Sequence, residues 1–244
     1  MNKNIPTILV IIGISGDLSK RKLLPAIGQI AKTGMTPDKF KIIGITRQKN
    51  IKVNELLKNT ANKKYLINNT EIFHMNLDEE KEYKRLENFL KKIDKKWKTK
   101  SQYLFYLSIP PKAGESIINL LGKSGISKKE NVKLLLEKPF GTDLNSAKIL
   151  AKHVSSYFKE EQIYRIDHYL AKETAQNIIV FRNGNSLFKR TWNKDFIESI
   201  NVTVSEDIGI EGRVSFYEQT GALRDFQSHL LQLLALTLME IPKE

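Results

Sequence analysis

Along the first two thirds of this chain, apolar residues fall in short unbroken runs, each followed by a stretch in which they recur every three or four positions. The runs at 8–12, 41–46, 103–108 and 132–136 are rich in Ile, Leu, Val and aromatic residues, as strands covered on both faces are. Stretches 18–32, 53–59, 79–96, 112–121 and 144–158 carry the spacing of amphipathic helices. Strand and helix in alternation predict parallel βαβ units and an α/β fold. No internal repeat or low-complexity segment breaks the pattern.

The pattern changes after about residue 165. A helix is predicted over 172–182 and a last apolar helix over 223–239. Between them 197–206 alternates, with Ile200, Val202 and Val204 on one face, as in a half-buried strand. Glu206 shares their parity and puts a carboxylate at the end of that face. It reads equally as a site residue and as a strand end reaching solvent. The domain boundary is placed near 163–167, giving domains at 1–165 and 166–244.

Composition narrows the classes. The 244 residues suffice for one large domain or two modest ones, and 41% hydrophobic with 27% charged content is ordinary for a soluble globular protein. Without cysteine there is no disulfide or thiolate chemistry, which is compatible with the reducing cytoplasm expected here. The run 8–12 is too short to span a bilayer. Gly13-Ile14-Ser15-Gly16-Asp17 follows it in place of a small-residue cleavage site, so neither a membrane span nor a signal peptide is expected. The net charge of +13 comes from 32 Lys and 8 Arg against 27 acids. Apart from the cluster between Lys91 and Lys100 these cations are scattered, with few aromatics among them. A nucleic-acid surface is therefore not expected, whereas small phosphorylated ligands suit the charge.

Four segments carry candidate chemistry. Gly13-Ile14-Ser15-Gly16-Asp17-Leu18 is a glycine turn between a strand and a helix start. There the backbone can approach a pyrophosphate and unpaired N–H groups favour negative charge. The pattern is G-x-x-G, so a plain tight turn stays open. The second strand ends Gly44-Ile45-Thr46-Arg47, with an arginine where an NAD site carries an acid. A guanidinium can fork onto a 2′-phosphate, with a hydrogen bond from Thr46 beside it, which favours NADP; an exposed arginine at a strand end is the other reading. Glu137-Lys138-Pro139-Phe140-Gly141 closes another strand and either places Lys138 toward the ligand crevice of an open α/β sheet or makes a simple turn. The densest set is Arg165-Ile166-Asp167-His168-Tyr169-Leu170-Ala171-Lys172-Glu173. Its imidazole, phenol and ammonium can each hold a phosphate oxygen, and the block alone reads equally as a helix start with incidental charges.

The glycine-turn segment from Gly13 to Lys20, Glu137–Gly141 and Arg165–Lys172, in this order and with Ile208-Gly209-Ile210-Glu211-Gly212-Arg213, resemble the glucose-6-phosphate dehydrogenase family over the whole chain. The Asp-His-Tyr-Leu block is the specific part. The resemblance implies a Rossmann-like doubly wound parallel sheet followed by an incomplete α+β substrate domain. It also implies oxidation of glucose 6-phosphate to 6-phosphoglucono-1,5-lactone with reduction of NADP, in the oxidative pentose phosphate pathway. By the same resemblance His229 is the general base and Asp167 the carboxylate that orients it. His168, Tyr169 and Lys172 grip the 6-phosphate, while Lys138, Glu206 and Asp225 bind sugar hydroxyls. Gly13, Ser15, Gly16, Asp17, Leu18, Arg47 and Lys138 line the cofactor site, and no metal is implied.

Two departures stand out. The family spaces acid and base as Asp-x-x-x-x-His, whereas Asp225 and His229 are one residue closer. Family chains are also about twice as long, with a large, mostly antiparallel sheet that makes a homo-oligomer interface, largely missing here. The expectation is a fragment or short form of such an enzyme. The alternative is a catalytically inactive NADP-binding remnant.

Overall fold

The computed structural model describes residues 4–58, 60–109, 111–138, 140, 141, 143–205, 214, 218 and 221–240, with backbone alone at 111, 112, 222, 224 and 225. It divides into two compact units, Met1–Ile166 and Asp167–Glu244.

The first unit is built on six strands: β1 Thr7–Ile12, β2 Phe40–Thr46, β3 Thr70–His74, β4 Gln102–Leu107, β5 Val132–Glu137 and β6 Ile163–Ile166. All neighbours are parallel, in the order β3-β2-β1-β4-β5-β6. This is the doubly wound Rossmann-like arrangement, whose chain reverses direction of travel between β1 and β4. All six residues of β1 are buried, because a central parallel strand has helices over both faces.

Period-two alternation deals the core to two sides. Ile8, Val10 and Ile12 join Ile43, Ile45, Phe105 and Leu134 under α4 (Glu80–Trp97) and α5 (Pro111–Lys123). Leu9, Ile11 and Ile42 face α1 (Leu24–Lys32) and two short helices, α2 (Val53–Leu56) and α3 (Lys63–Asn69). The helix α6 (Leu144–Ser155) starts with an Asp143–Ser146 capping box, which satisfies N–H groups that have no partner within a helix.

A widened π turn, Ser19–Leu23, leads directly into α1, with the Leu24 N–H donating to the Ser19 carbonyl. Pro25 follows at once, and its ring crowds the turn before it. The extra residue in the turn lets Ser19 and Leu24, five apart, both be buried.

Glu87 shows how a charge survives in this core. Its residue is 4% exposed, and Lys84, Lys91 and Lys129 lie at 2.8, 2.8 and 3.2 Å from its carboxylate. Burial pushes its pKa up, but the three lysine hydrogen bonds together prevail and hold it at about 2, below the ordinary 4.5. A depressed carboxylate contributes stability above its unfolded value, and that contribution is lost as pH falls towards 2. Glu87→Gln should lower the unfolding free energy at pH 7 by roughly 2 kcal/mol, after a discount for the exposed lysines. Chemical denaturation at pH 7 and pH 3 checks this, since the gap must narrow at the lower pH.

The second unit contains α7 (Glu173–Gly184), α8 (Ser186–Thr191) and α9 (Ala222–Leu238). Arg182 of α7 donates to the carbonyls of Leu236 and Met239, and the indole of Trp192 donates to that of Thr237. These bonds satisfy the last carbonyls of α9, which have no partner within the helix. The strand expected over 197–206 does not form across the described residues 197–205. Ile200, Val202 and Val204 are half-buried and Asn201, Thr203 and Ser205 exposed, so the alternation is real. A strand also needs a hydrogen-bonded neighbour, and the described residues of this unit include no other strand. Among the described residues no helix is long and apolar enough to cross a membrane.

Candidate active site

In the first unit the glycine turn sits where β1 ends, at the point where the strand order reverses. Gly13 has φ +90°, and a Cβ there would collide with the Ser108 carbonyl just past β4. Only glycine combines that left-handed backbone with so close an approach. The Gly13 and Ile14 N–H groups donate to the Ile45 carbonyl at 3.1 and 3.2 Å, and Gly16 N–H closes the turn onto Gly13 at 2.9 Å. The buried Ser19 hydroxyl donates to the Gly13 carbonyl and to Ser108 Oγ at 2.8 Å, stitching β1, the helix start and β4 together. Ser19 and Ser108 were not among the expected site residues. The signal for Ser108 was its place at the end of a strand facing the glycine turn.

Ser15 Oγ lies 3.1 Å from Thr46 Oγ1, which also accepts the Gln48 N–H. Thr46 is 4% exposed, so its hydroxyl braces the turn and is not presented beside Arg47 as expected. Arg47 itself is exposed directly after β2. Asp17 and Leu18 are exposed at the helix start, with Asp17 and Arg21 at 3.5 Å. At the end of β5, Glu137 accepts a hydrogen bond from the Tyr106 hydroxyl, whose pKa is pushed up by burial and by that carboxylate. Lys138 follows, half-buried.

In the second unit the Asp167–Lys172 block is a turn ahead of α7. Asp167 Oδ1 accepts the Tyr169 N–H at 2.9 Å, and the Asp167 carbonyl accepts the Ala171 N–H at 3.2 Å. This is the local side-chain turn that aspartate favours. The same Oδ1 stands 3.8 Å from Nδ1 of His229 on α9. That is beyond hydrogen-bond length but within ion-pair reach of a charged imidazole. Both side chains are nearly enclosed, at 7% and 4% exposure. The phenol of Tyr169 stacks on the His229 ring, His168 meets both rings edge-on, and Lys172 Nζ lies 3.9 Å from the centre of the phenol.

The structure thus gathers Asp167, His168, Tyr169, Lys172 and His229 within one unit. Asp225 lies with His229 on the unbroken helix α9, four positions away and so about 40° round the axis. Its side chain is outside the described residues, as are Glu206 and the segment 208–213. Among the described residues no group of three or more His, Cys, Asp or Glu side chains could hold a metal ion.

Residues 10–177 match the family model described as "Glucose-6-phosphate dehydrogenase, NAD binding domain", and residues 179–244 match "Glucose-6-phosphate dehydrogenase, C-terminal domain". The chain belongs to the glucose-6-phosphate dehydrogenase family. A relative from Chlamydia muridarum, glucose-6-phosphate 1-dehydrogenase, is 37% identical over 98% of this chain and 51% of its own length. A solved glucose-6-phosphate dehydrogenase in complex with its substrate glucose-6-phosphate matches with a TM-score of 0.89 at 31% identity, over 99% of this chain and 53% of that one. The glucose-6-phosphate 1-dehydrogenase from Mycobacterium avium matches at 0.83 and 31%, over 97% and 53%. The chain therefore spans about half the length of the family members it matches.

Proposed function

We propose that this chain oxidises glucose 6-phosphate at C1 to 6-phosphoglucono-1,5-lactone, with NADP as the hydride acceptor. The observation that carries the reading is the enclosed Asp167–His229 pair beside His168, Tyr169 and Lys172. With Nδ1 turned to the Asp167 carboxylate, Nε2 is the nitrogen that takes the proton of the C1 hydroxyl. Asp167 then stabilises the imidazolium, as the acid of a catalytic triad does. His168 and Lys172 supply donors for the 6-phosphate. Asp225, Glu206 and Lys138 are assigned to the sugar hydroxyls.

The glycine turn fits a dinucleotide. Gly13 lets the backbone turn tightly against Ser108 at the switch point, and the first N–H groups of a helix there favour a pyrophosphate. Ser15, Gly16, Asp17, Leu18 and Lys138 complete the assigned lining. When bound, NADP supplies the acceptor for the hydride that leaves C1. Arg47 would hold its 2′-phosphate, because a guanidinium forks onto a phosphate.

The test is NADP reduction followed by absorbance with the purified chain. Turnover that needs both glucose 6-phosphate and NADP supports the reading. Silence from a folded, NADP-binding chain would favour a protein that binds the cofactor without doing the chemistry. Arg47→Ala should raise KM for NADP roughly 10- to 100-fold, the worth of a charge-assisted phosphate contact, and hardly change that for NAD. Equal losses with both cofactors would exclude the 2′-phosphate role.

A further inference from the structure

We infer that Tyr169 is a positioning residue for His229 and that it acts through the face of its ring, a task separate from any contact of its hydroxyl with substrate. The inference rests on the reading of His229 as the base. An imidazole has a broad, roughly two-fold torsion about its last bond, so the side chain alone does not fix the ring plane. Here the plane is set from outside. The phenol of Tyr169 lies 3.9 Å from the imidazole, centre to centre, and only 13° off parallel. Turning the imidazole out of that plane would drive its edge into the phenol. His168 closes in edge-on at 4.9 Å from both rings.

The phenol is itself held. An imidazole at this distance and angle fills one ring face, which leaves the other for the ammonium of Lys172, 3.9 Å from the centroid, a favourable cation–π contact. The Tyr169 backbone is pinned by its N–H bond to Asp167 Oδ1, the atom that also faces His229 Nδ1. One carboxylate oxygen therefore faces the Nδ1 end of the imidazole, and through the turn it holds the ring that fixes the imidazole plane. Together these constraints determine where Nε2 points. Tyr169 and His229 are 6% and 3% exposed, so solvent cannot replace the stack.

The test joins kinetics to proton NMR on the full chain. The chain has four histidines, so His229→Asn assigns the Hε1 signal of His229 by its disappearance. In the wild type that signal should lie upfield, shifted by the phenol ring current. Tyr169→Leu should return it towards the ordinary imidazole position and lower kcat roughly 100-fold, the loss expected from misplacing a reacting group by an ångström or so. Tyr169→Phe should keep the upfield shift and recover most of kcat, while KM for the sugar phosphate rises because the hydroxyl is gone.

The inference is overturned if Tyr169→Leu keeps kcat or leaves the His229 signal where it was. It also fails if Tyr169→Phe is as slow as Tyr169→Leu, a comparison that Tyr169→Phe settles against the wild type even if Tyr169→Leu does not fold. A rate that survives His229→Asn would instead remove the base assignment, and the NMR arm would still judge the stack. If no protein turns over, the NMR arm alone decides whether the ring holds the imidazole.

Discussion

His229→Asn is expected to lower kcat with glucose 6-phosphate by roughly three orders of magnitude, within the range that a general base contributes. NADP affinity should stay at the wild-type value. Asparagine is small, polar and uncharged, so it fits against Tyr169 without placing a lone charge in an enclosed site, but it cannot accept a proton at neutral pH. Steady-state kinetics beside a cofactor titration separate the two effects. A variant that kept its rate would show that the proton leaves the sugar by another route. A variant that lost NADP as well would point to a folding defect rather than to a missing base.

The second large effect lies at the glycine turn. Gly13→Ala should weaken NADP binding at least about 100-fold, because two penalties add. An L-residue at φ +90° carries strain of about 1–3 kcal/mol, and the new methyl group would overlap the Ser108 carbonyl, so the turn must move off β4. Gly34→Ala is the matched control. Gly34 also has positive φ, at +69°, yet nothing lies within 4 Å of a Cβ there. It should cost stability through strain alone and leave the cofactor affinity intact. Isothermal titration with NADP, with thermal melts of both variants, makes the comparison. Equal NADP affinity in the two variants would mean that the turn does not hold the cofactor.

Much of the first unit was legible in the sequence, and the reason is burial on both sides. Expected runs at 8–12, 41–46, 103–108 and 132–136 fall within a residue of β1, β2, β4 and β5, since central strands are apolar throughout. The outer strands were not found. In β3, Glu71 reaches out to pair with Lys41 at 2.6 Å, and in β6, Tyr164 is 52% exposed. A strand with one neighbour carries polar residues that dilute its pattern. The segment 197–205 fails in the opposite direction, because alternation marks faces and says nothing of partners.

The site divides the same way. The turn at Asp167 is a local event, two residues long, and aspartate announces it. The stack of Tyr169 on His229 joins residues 60 positions apart, where no periodicity reaches. Family resemblance drew attention to both side chains but gave the phenol ring no task. The fate of Thr46 was hidden for a similar reason, since its hydroxyl is claimed by Ser15 from the end of another strand.

The widened turn at Ser19–Leu23 carries a consequence for how this helix can change over time. Each residue of an α-helix advances about 100°, so removing one residue there would restore ordinary winding and rotate Ser19 against everything that follows. Either the hydroxyl would leave Gly13 and Ser108, or Leu24, Ile27 and Ala31 would turn out of the core. Substitutions in this segment can be absorbed where Lys20, Arg21 and Lys22 face solvent; a single-residue deletion cannot. Descendants of this chain are thus free to vary the spelling of the segment but not the number of letters in it.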